Sequence, residues 1–503
     1  MKRHILVLFL FIESVLAGCR GTVELSIERT ATPDRPADAA IERTATPDRS
    51  ASATIEALVR DNSRLATQVA AQIPPTPAMV PLGRLAYTQG GDIWVKSFLD
   101  DSLRAQRLTT DGRNREPRWS PAGEWLAFRK DRLAVTSSDA YSSITSMLQK
   151  QVWVIRADGT STHPLNGGLS VDSFAWSPKS EHLAYTTPDG ELVTVNADGT
   201  DPQVLLSRSI ANPMGDRQIT LILWSPDGNW LAYQWQTKPI EQLLPYQGIW
   251  IIPASGQARY EVYNSRASAK GEALLAGWSP SSKTLFFWQN ESSSRSIIDG
   301  GTLYSIPANP NQLGVPPTAV SRQVVLPYAD FVTFAPLTTT EPSTESPAIV
   351  TGEGRSTWLN KRIMHAEQPL STGELAAISP AWSPAGDRLA FAAMPNLSSA
   401  NAAGTPDLRQ RHLWIVNTQG DPQMRELTRD ANYRDEGPLW SKDGKHLLFV
   451  RVNVRNQVSL WVTALDSNSF FQVVDELTPI PDPFDFYGHM EWNALFDWWR
   501  GPQ

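Results

Sequence analysis

A phrase that recurs about every 50 residues constrains this chain more than any other feature of its sequence. It begins with Trp-Ser-Pro, and a weaker and a degraded copy preserve the spacing. The copies begin at Trp119, Trp176, Trp224, Trp278 and Trp382, with the weaker copy at Trp440 and the degraded one at Phe334. A fixed period of this length indicates an array of similar structural units.

Each copy continues in the same way. A polar turn such as Asp227-Gly228 precedes an apolar strand of the Leu-Ala-Phe type, and a third strand follows that is often centred on Trp. Asp-Gly between strand-like runs predicts a hairpin. Several short strands per unit, with no helical period, predict an all-β fold of four-stranded antiparallel blades in a β-propeller.

The two ends of the chain predict how the ring closes. Leu85-Ala86-Tyr87 and Ile93-Trp94-Val95 resemble second and third strands that lack a first strand. The segment from Tyr487 to Trp492 lies at the expected spacing and is predicted to supply it, so that N- and C-terminal strands pair. Eight blades follow, or seven if the Phe334 copy is an insertion.

Within the repeat, Trp-Ser-Pro-x-Gly is followed by Leu-Ala-Phe/Tyr and then, at Ala157 and Ala197, by Ala-Asp-Gly-Thr. This order of motifs resembles the WD-repeat-like blades of TolB-type propellers. The match covers about 410 residues. The resemblance implies an exported protein-binding propeller or, less often, one that handles carbohydrate.

The N-terminus predicts export and a lipid anchor. Lys2 and Arg3 precede the apolar run from Ile5 to Ile12, which is too short to span a bilayer. Leu-Ala-Gly before Cys19 resembles the lipobox of bacterial lipoproteins, which implies that residues 1–18 are a signal peptide and that Cys19 is lipidated. The expected location is the cell envelope, on a bacterial membrane in the periplasm or at the cell surface.

Residues 19–80 are predicted to be a linker or stalk, and residues 81–503 the propeller. The phrase from Ile27 to Arg35 is duplicated from Ile41 to Arg49, and such polar, proline-containing repeats are typical of flexible tethers. Apolar spacing predicts a short helix over about residues 52–73. This helix either stands alone or self-associates as a short coiled coil.

Net charge disfavours one class of partner. The formal charge of −7 gives no general attraction to nucleic acid. Contact with the membrane is expected through the lipid anchor only.

Long connections between the second and third strands of several blades should emerge on one face of the ring, where recognition is often built. Four aromatic residues lie in or beside these connections and are candidate interface anchors. They are Tyr141, Trp235, Tyr246 and Trp288. The alternative is that they only cover outer strands.

Connections into the innermost strands each contain an acidic residue. Some of these acids are predicted to ring the channel mouth, where they would favour a cation or a basic segment. The candidates are Glu116, Asp172, Glu272, Asp330 and Glu436.

The sequence lacks two groups of catalytic motifs. It has no Gly-x-Ser-x-Gly elbow, and its histidines form no His-x-His or Glu-x-x-His pair. We therefore expect no catalytic residue, no resident cofactor and no metal site, although calcium bound by carboxylates of several loops has no linear motif and stays open. The expected function is a non-catalytic scaffold for an envelope protein, not an enzyme, and the alternative is a surface propeller that binds or cleaves glycans.

Overall fold

The computed structural model describes residues 82–98, 104–131, 150–208, 217–237, 247–256, 258–265, 273–289, 300–321, 325–337, 345–352, 356–397, 407–420, 422–477 and 488–501. These residues form eight four-stranded antiparallel sheets, which are the eight blades of a β-propeller. The predicted fold class is confirmed, and the Phe334 copy is a blade rather than an insertion. Among the described residues, no helix is long and apolar enough to cross a membrane.

Blades are numbered from the closing blade and listed from the innermost strand outward. Blade 1 contains β32 (Phe496–Trp499), β1 (Arg84–Gln89), β2 (Asp92–Ser97) and β3 (Ala105–Arg107). Blade 2 contains β4 (Asn114–Trp119), β5 (Trp125–Asp131), β6 (Lys150–Arg156) and β7 (His163–Pro164). Blade 3 contains β8 (Phe174–Trp176), β9 (His182–Thr186), β10 (Leu192–Asn196) and β11 (Gln203–Leu206). Blade 4 contains β12 (Arg217–Trp224), β13 (Trp230–Thr237), β14 (Gln247–Pro253) and β15 (Tyr260–Asn264).

The second half of the ring follows the same order. Blade 5 contains β16 (Ala273–Trp278), β17 (Thr284–Gln289), β18 (Thr302–Pro307) and β19 (Thr318–Ala319). Blade 6 contains β20 (Val332–Thr333), β21 (Ala348–Thr351), β22 (Arg362–His365) and β23 (Gln368–Pro369). Blade 7 contains β24 (Leu375–Trp382), β25 (Arg388–Pro395), β26 (His412–Asn417) and β27 (Met424–Glu426). Blade 8 contains β28 (Tyr433–Trp440), β29 (His446–Asn453), β30 (Val458–Ala464) and β31 (Ser469–Leu477). Short 3-10 turns lie at Leu165–Gly168, Pro310–Gln312, Ala329–Phe331, Leu408–Gln410 and Trp492–Ala494.

Pairing of the two ends closes the ring, as expected, but with a different segment. The strand that pairs with β1 is β32, with Leu85 opposite Trp498. The predicted segment from Tyr487 to Trp492 is not this strand: its described part precedes β32 and includes the start of a 3-10 turn. Its aromatic spacing resembled that of a blade, but the true strand lies a few residues further along the chain.

The serine of Trp-Ser-Pro explains why the phrase recurs. In blade 4 the Ser225 hydroxyl accepts the backbone N–H of Trp230 at 3.0 Å and donates to Asp227. Ser120 and Ser383 accept from the equivalent N–H groups in blades 2 and 7. A buried hydroxyl therefore closes the turn between the first and second strands, where an unsatisfied backbone donor would be costly.

The tryptophan of the phrase joins neighbouring blades. Its indole N–H donates to the backbone carbonyl just before the equivalent aromatic residue of the preceding blade. These bonds are Trp176 to Arg118, Trp224 to Ala175, Trp278 to Leu223, Trp382 to Thr333 and Trp440 to Ala381. We call this series the indole ladder. Phe334 cannot make such a bond because a phenyl ring has no donor.

The second strand of each blade supplies the core between blades. Its leucine is fully buried in the seven blades that carry it. These residues are Leu85, Leu126, Leu183, Leu231, Leu285, Leu389 and Leu447. Since each blade has two apolar faces, only its neighbours in the ring can cover them.

Candidate ligand site in the central channel

A cavity of about 330 Å³ lies where the innermost strands of blades 6, 7, 8 and 1 meet around the channel. Its apolar wall includes Leu439, Phe496 and Trp498. Its carboxylates belong to Asp330, Glu491 and Asp497. A concave site with apolar walls and a few polar groups is the arrangement expected of a ligand pocket.

The connection from β31 to β32 crosses this channel. We call residues 488–495 the strap. At one end His489 Nε2 lies 3.1 Å from Oδ1 of Asp330, just before blade 6. Towards the other end Arg118 of blade 2 donates to the Asn493 carbonyl at 2.5 Å. Blades 2 and 6 are opposite each other in a ring of eight, so the strap spans the channel.

Glycine 488 allows the strap to enter this position. Its φ is +81°, a conformation that side chains with a Cβ rarely adopt. A Cβ there would lie 3.0 Å from the Trp358 ring and 3.1 Å from Thr357 Oγ1. Arg411 fixes the same point by donating to the Gly488 carbonyl at 2.8 Å.

Asp330 connects the strap to the innermost strand of blade 7. Its Oδ2 accepts the Ser379 hydroxyl at 2.6 Å, while its Oδ1 faces His489. Burial acts to lower the pKa of His489, but the charge and hydrogen bond of Asp330, together with the charge of Glu436, outweigh it, and the pKa of His489 is raised. The carboxylate, not the imidazole, stands between the other two groups, so these residues do not form the hydroxyl–imidazole–carboxylate relay of a serine hydrolase.

Strand bulges place two of the polar residues around the channel. Ser379 and Glu116 each lie at a bulge in an innermost strand, with φ of +52° and +54°, and each is followed by proline. Gly437 has the same position in blade 8, with φ of +58°. Bulges redirect side chains and are common beside functional sites.

Glu491 is the strap carboxylate on the cavity wall. Burial among channel atoms raises the pKa of Glu491, and the carboxylates of Asp330 and Glu116 raise it further, against the opposing effects of His489 and Arg118. The side chain is nevertheless accessible to water. It therefore combines solvent access with like-charged neighbours, which favour a cation or a proton at this position.

Glu436 has a different environment. It is 2% exposed and pairs with the guanidinium groups of Arg411 and Arg434, and its Oε2 accepts the Trp492 indole N–H at 2.8 Å. Burial alone would raise the pKa of Glu436, but Arg434 and Arg411 together lower it. The prediction that Glu436 faces the channel mouth is wrong, because it neutralises buried arginines beneath the strap.

The other predicted acids have mixed outcomes. Asp330 lines the cavity, and Glu116 lies close enough to raise the pKa of Glu491. Asp172 is exposed, and its pKa is raised by burial of its carboxyl against the opposing effects of Arg129 and Lys150. Glu272 lies outside the described residues.

The predicted aromatic anchors are not gathered at this cavity. Trp288 is 2% exposed and packs between blades, so it cannot act as the exposed anchor that its position after Phe287 suggested. Trp235 is half-buried, and its ring covers Gly248, where a Cβ would lie 2.6 Å from Nε1. Tyr141 and Tyr246 lie outside the described residues.

The strap is the part of the site that sequence reasoning missed. His489, Glu491 and Trp492 were assigned to the closing strand because their aromatic spacing fits a blade. The available signal was the combination of Gly, His and Glu within a few residues, which is unusual for the innermost strand of this repeat.

The predictions about metal binding and about the lipid anchor do not concern this cavity. Within the described ranges no group of three or more His, Cys, Asp or Glu side chains is arranged to hold a metal ion. Cys19, the signal peptide and the stalk helix all lie outside the described residues.

No family model matches the chain, and no curated protein matches it. Solved structures do match. A puromycin-hydrolysing peptidase from Mycobacterium tuberculosis is 14% identical, with a TM-score of 0.47 over 74% of this chain and 54% of that one. A prolyl endopeptidase structure is 10% identical, with a TM-score of 0.44 over 73% and 50%. The propeller domain of the Trilobed protease from Pyrococcus furiosus is 10% identical, with a TM-score of 0.38 over 79% and 95%.

These matches correct two expectations. The chain is similar to the propellers of peptidases, so the predictions of a non-catalytic scaffold and of a protein that is not an enzyme are wrong. At such low identity the likeness shows the β-propeller fold alone. The chain spans about half the length of the first two peptidases that it matches, 54% and 56%.

Proposed function

We propose that this protein is a peptidase-related propeller that binds the free N-terminal end of a peptide in its channel cavity. The observation that carries the proposal is the cavity itself, in which Asp330 and Glu491 lie beside an apolar wall. Such a pair of features suits a ligand with a cation next to an apolar group.

A peptide N-terminus has this chemistry. The terminal amine is mainly in its charged ammonium form at pH values below its pKa, which is about 7.7–8.0. Burial raises the pKa of Glu491, and the carboxylates of Asp330 and Glu116 raise it further, a repulsion that a bound ammonium group would offset. An apolar first side chain would pack on Leu439 and Trp498, and the rest of the peptide would extend along the channel.

The test compares one peptide with a leucine at its free N-terminus and the same peptide N-acetylated. We expect the free peptide to bind at least about tenfold more tightly, a difference of about 1.4 kcal/mol. Glu491→Gln should remove most of this preference, whereas the control Asp466→Asn, an exposed acid on blade 8, should keep it. Isothermal titration calorimetry measures the affinities, and mass spectrometry of the same samples detects cleavage.

Equal affinity of both peptides for the wild-type chain would contradict the proposed site. So would a preference for the free peptide that survives both Glu491→Gln and Asp330→Asn in variants that remain folded by circular dichroism.

We further propose that the blades are TolB-like and that the protein is an exported lipoprotein of the bacterial envelope, anchored through Cys19. The Leu-Ala-Gly-Cys sequence and the short apolar segment before it support this placement. Lipid chains on Cys19 would hold the propeller at a membrane without a spanning segment. Mass spectrometry of the mature N-terminus should find a diacylglyceryl Cys19, and the Cys19→Ala variant should leave the membrane fraction. An unmodified Cys19 in membrane-extracted protein would contradict the anchor.

A further inference from the structure

The strap forms part of the cavity wall, and its anchors come from several blades. His489 meets Asp330 before blade 6, Trp492 meets Glu436 in blade 8, and Asn493 meets Arg118 in blade 2. Glu491, Trp492 and Asn493 are themselves part of the cavity lining. Movement of the strap would therefore change both the shape of the cavity and access to it.

We propose that the strap is a gate over the channel cavity and that the ion pair between His489 and Asp330 is the latch that holds its first end closed. The assignment stands on geometry: the first end of a segment that crosses the ring is held by the imidazole–carboxylate contact of 3.1 Å and, beside it, by the Arg411 hydrogen bond to the Gly488 carbonyl. The gate would act on any ligand that enters the cavity, so it does not depend on the peptide proposed above.

The latch differs from the other anchors in how it responds to pH. Arg411 and Arg118 stay charged throughout the neutral range. The pKa of Glu436 is lowered, so this carboxylate also stays charged. Among the described anchors of the strap, His489 is therefore the one whose charge changes near neutral pH.

The surroundings of His489 set the direction of the change. Asp330 faces it from the entry to blade 6, Glu436 and Arg411 face it from blades 8 and 7, and Glu491 follows it in the strap. The rings of Tyr328 and Phe331 pack against the imidazole, with centroids 4.0 and 5.0 Å away. The net effect is a raised pKa of His489, so the charged imidazole persists above its usual range.

Because its pKa is raised, the direction in which His489 responds to pH is fixed. At acidic to neutral pH the imidazole is charged, and the latch contributes its full stabilisation of the closed strap. As the pH rises through the raised pKa of His489, the imidazole loses its proton and the attraction to Asp330. The first end of the strap then loosens, and the cavity becomes more accessible at alkaline pH.

The gate can be tested without any ligand. Cys19 is the only cysteine in the chain, so Cys19→Ser in the full-length protein gives a background free of thiols. Ala381→Cys then places one thiol in the cavity wall, and Thr162→Cys places one on an exposed turn as the matched control. The ratio of their maleimide-labelling rates cancels the pH dependence of the reagent and of an ordinary thiol.

We expect this ratio to rise several-fold between pH 6 and pH 9 with His489 present. In His489→Gln, which keeps a polar side chain but cannot be charged, the ratio should be high at both pH values. Trp492→Phe removes the pH-independent bond to Glu436, so it should raise the ratio at every pH and preserve the slope.

A ratio that is independent of pH in the parent protein would overturn the latch. So would the same pH slope in folded His489→Gln. If the His489→Gln protein does not fold, Asp330→Asn serves as the second variant and must also flatten the slope. Because the labelling experiment contains no peptide, a result that contradicts the gate does not affect the peptide-binding test. A result that contradicts peptide binding likewise does not affect the test of the gate.

Discussion

The regular arc of the propeller and its closing seam are held together by different kinds of contact. In blades 2–5 and again in blades 6–8, an indole N–H donates to a backbone carbonyl of the preceding blade. At the seam, Trp498 occupies the ladder position of blade 1 but donates to the Leu82 carbonyl instead. Charged side chains replace the ladder there.

Two of these charged contacts join the closing blade to its neighbours. Arg500 donates to the Trp440 carbonyl of blade 8 at 3.0 Å, and Asp497 accepts the backbone N–H of Trp119 in blade 2 at 2.7 Å. The buried Arg411–Glu436 pair and the strap lie on the same side of the ring. Repetition thus builds an arc joined by similar indole hydrogen bonds, whereas the seam beside the candidate site is joined by charged residues that occur once.

Removing the negative charge beneath the strap should give the largest effect. Glu436→Gln leaves Arg411 and Arg434 buried without their carboxylate, and we expect a loss of about 3–5 kcal/mol in the free energy of unfolding. The control Glu426→Gln, a partly exposed carboxylate paired with His412 and Arg429 in blade 7, should cost less than about 1 kcal/mol. Urea unfolding followed by circular dichroism at pH 7 measures both values.

The pH dependence sharpens the same test. Because the pKa of Glu436 is lowered in the folded protein, its contribution is complete above the ordinary glutamate pKa and is lost as the pH falls through the lowered value. The difference between wild type and Glu436→Gln should therefore shrink in acid. Equal losses for the two glutamine variants at pH 7 would show that the seam does not depend on its buried charges.

The same contrast explains what could be predicted from the sequence. Blade number, strand order and ring closure follow from a repeated pattern, because most blades share the same serine turn and seven of them share the same buried leucine. Asp330 and Glu116 were proposed because they lie shortly before the aromatic residue that opens a recognisable repeat phrase. Glu436 was misplaced for the same reason, since a single sequence does not reveal which arginines will be buried beside it.

Other features have no periodic signal at all. His489 and Glu491 act through partners in blades 6 and 2, more than 150 residues away in sequence. Trp288 follows a core aromatic residue, so the alternation of side chains along a strand predicted that it is exposed. The neighbouring blade covers that face of the strand as well, and Trp288 is buried. Contacts between blades depend on the closed ring, and the pattern within one blade does not contain them.

The next largest change in the free energy of unfolding is expected from a substitution in the turn between β4 and β5 of blade 2. Gly123 has φ of +72°, and a Cβ there would lie 2.4 Å from the ring of Trp499 across the seam. Gly420 has φ of +75° with no atom within 4 Å of its Cβ position. Gly420→Ala should therefore cost about 1–2 kcal/mol of backbone strain, and Gly123→Ala about 1–3 kcal/mol more because the seam is overpacked.

Thermal and urea unfolding of both alanine variants test this difference. The contrast between the seam and an open turn fails if the two substitutions lower the unfolding free energy equally, since their backbone strain is matched.

The smallest change in the free energy of unfolding is expected from removing or adding one hydrogen bond of the indole ladder. Trp224→Phe removes the donor to the Ala175 carbonyl, a bond of 3.1 Å, and should cost about 1 kcal/mol beyond the loss of ring contacts. Phe334 marks the break in the arc, and its half-buried ring lies against Gly277, whose hypothetical Cβ would be 3.6 Å from Cε2. Phe334→Trp should donate to the Gly277 carbonyl and recover up to about 1 kcal/mol.

Urea unfolding followed by circular dichroism measures both changes without relying on tryptophan emission. Opposite signs would show that the indole ladder is a transferable device and that blade 6 lacks one rung of it. If Phe334→Trp destabilises the protein as much as Trp224→Phe does, then blade 6 has been repacked around phenylalanine, and the arc is less uniform than its repeated hydrogen bonds indicate.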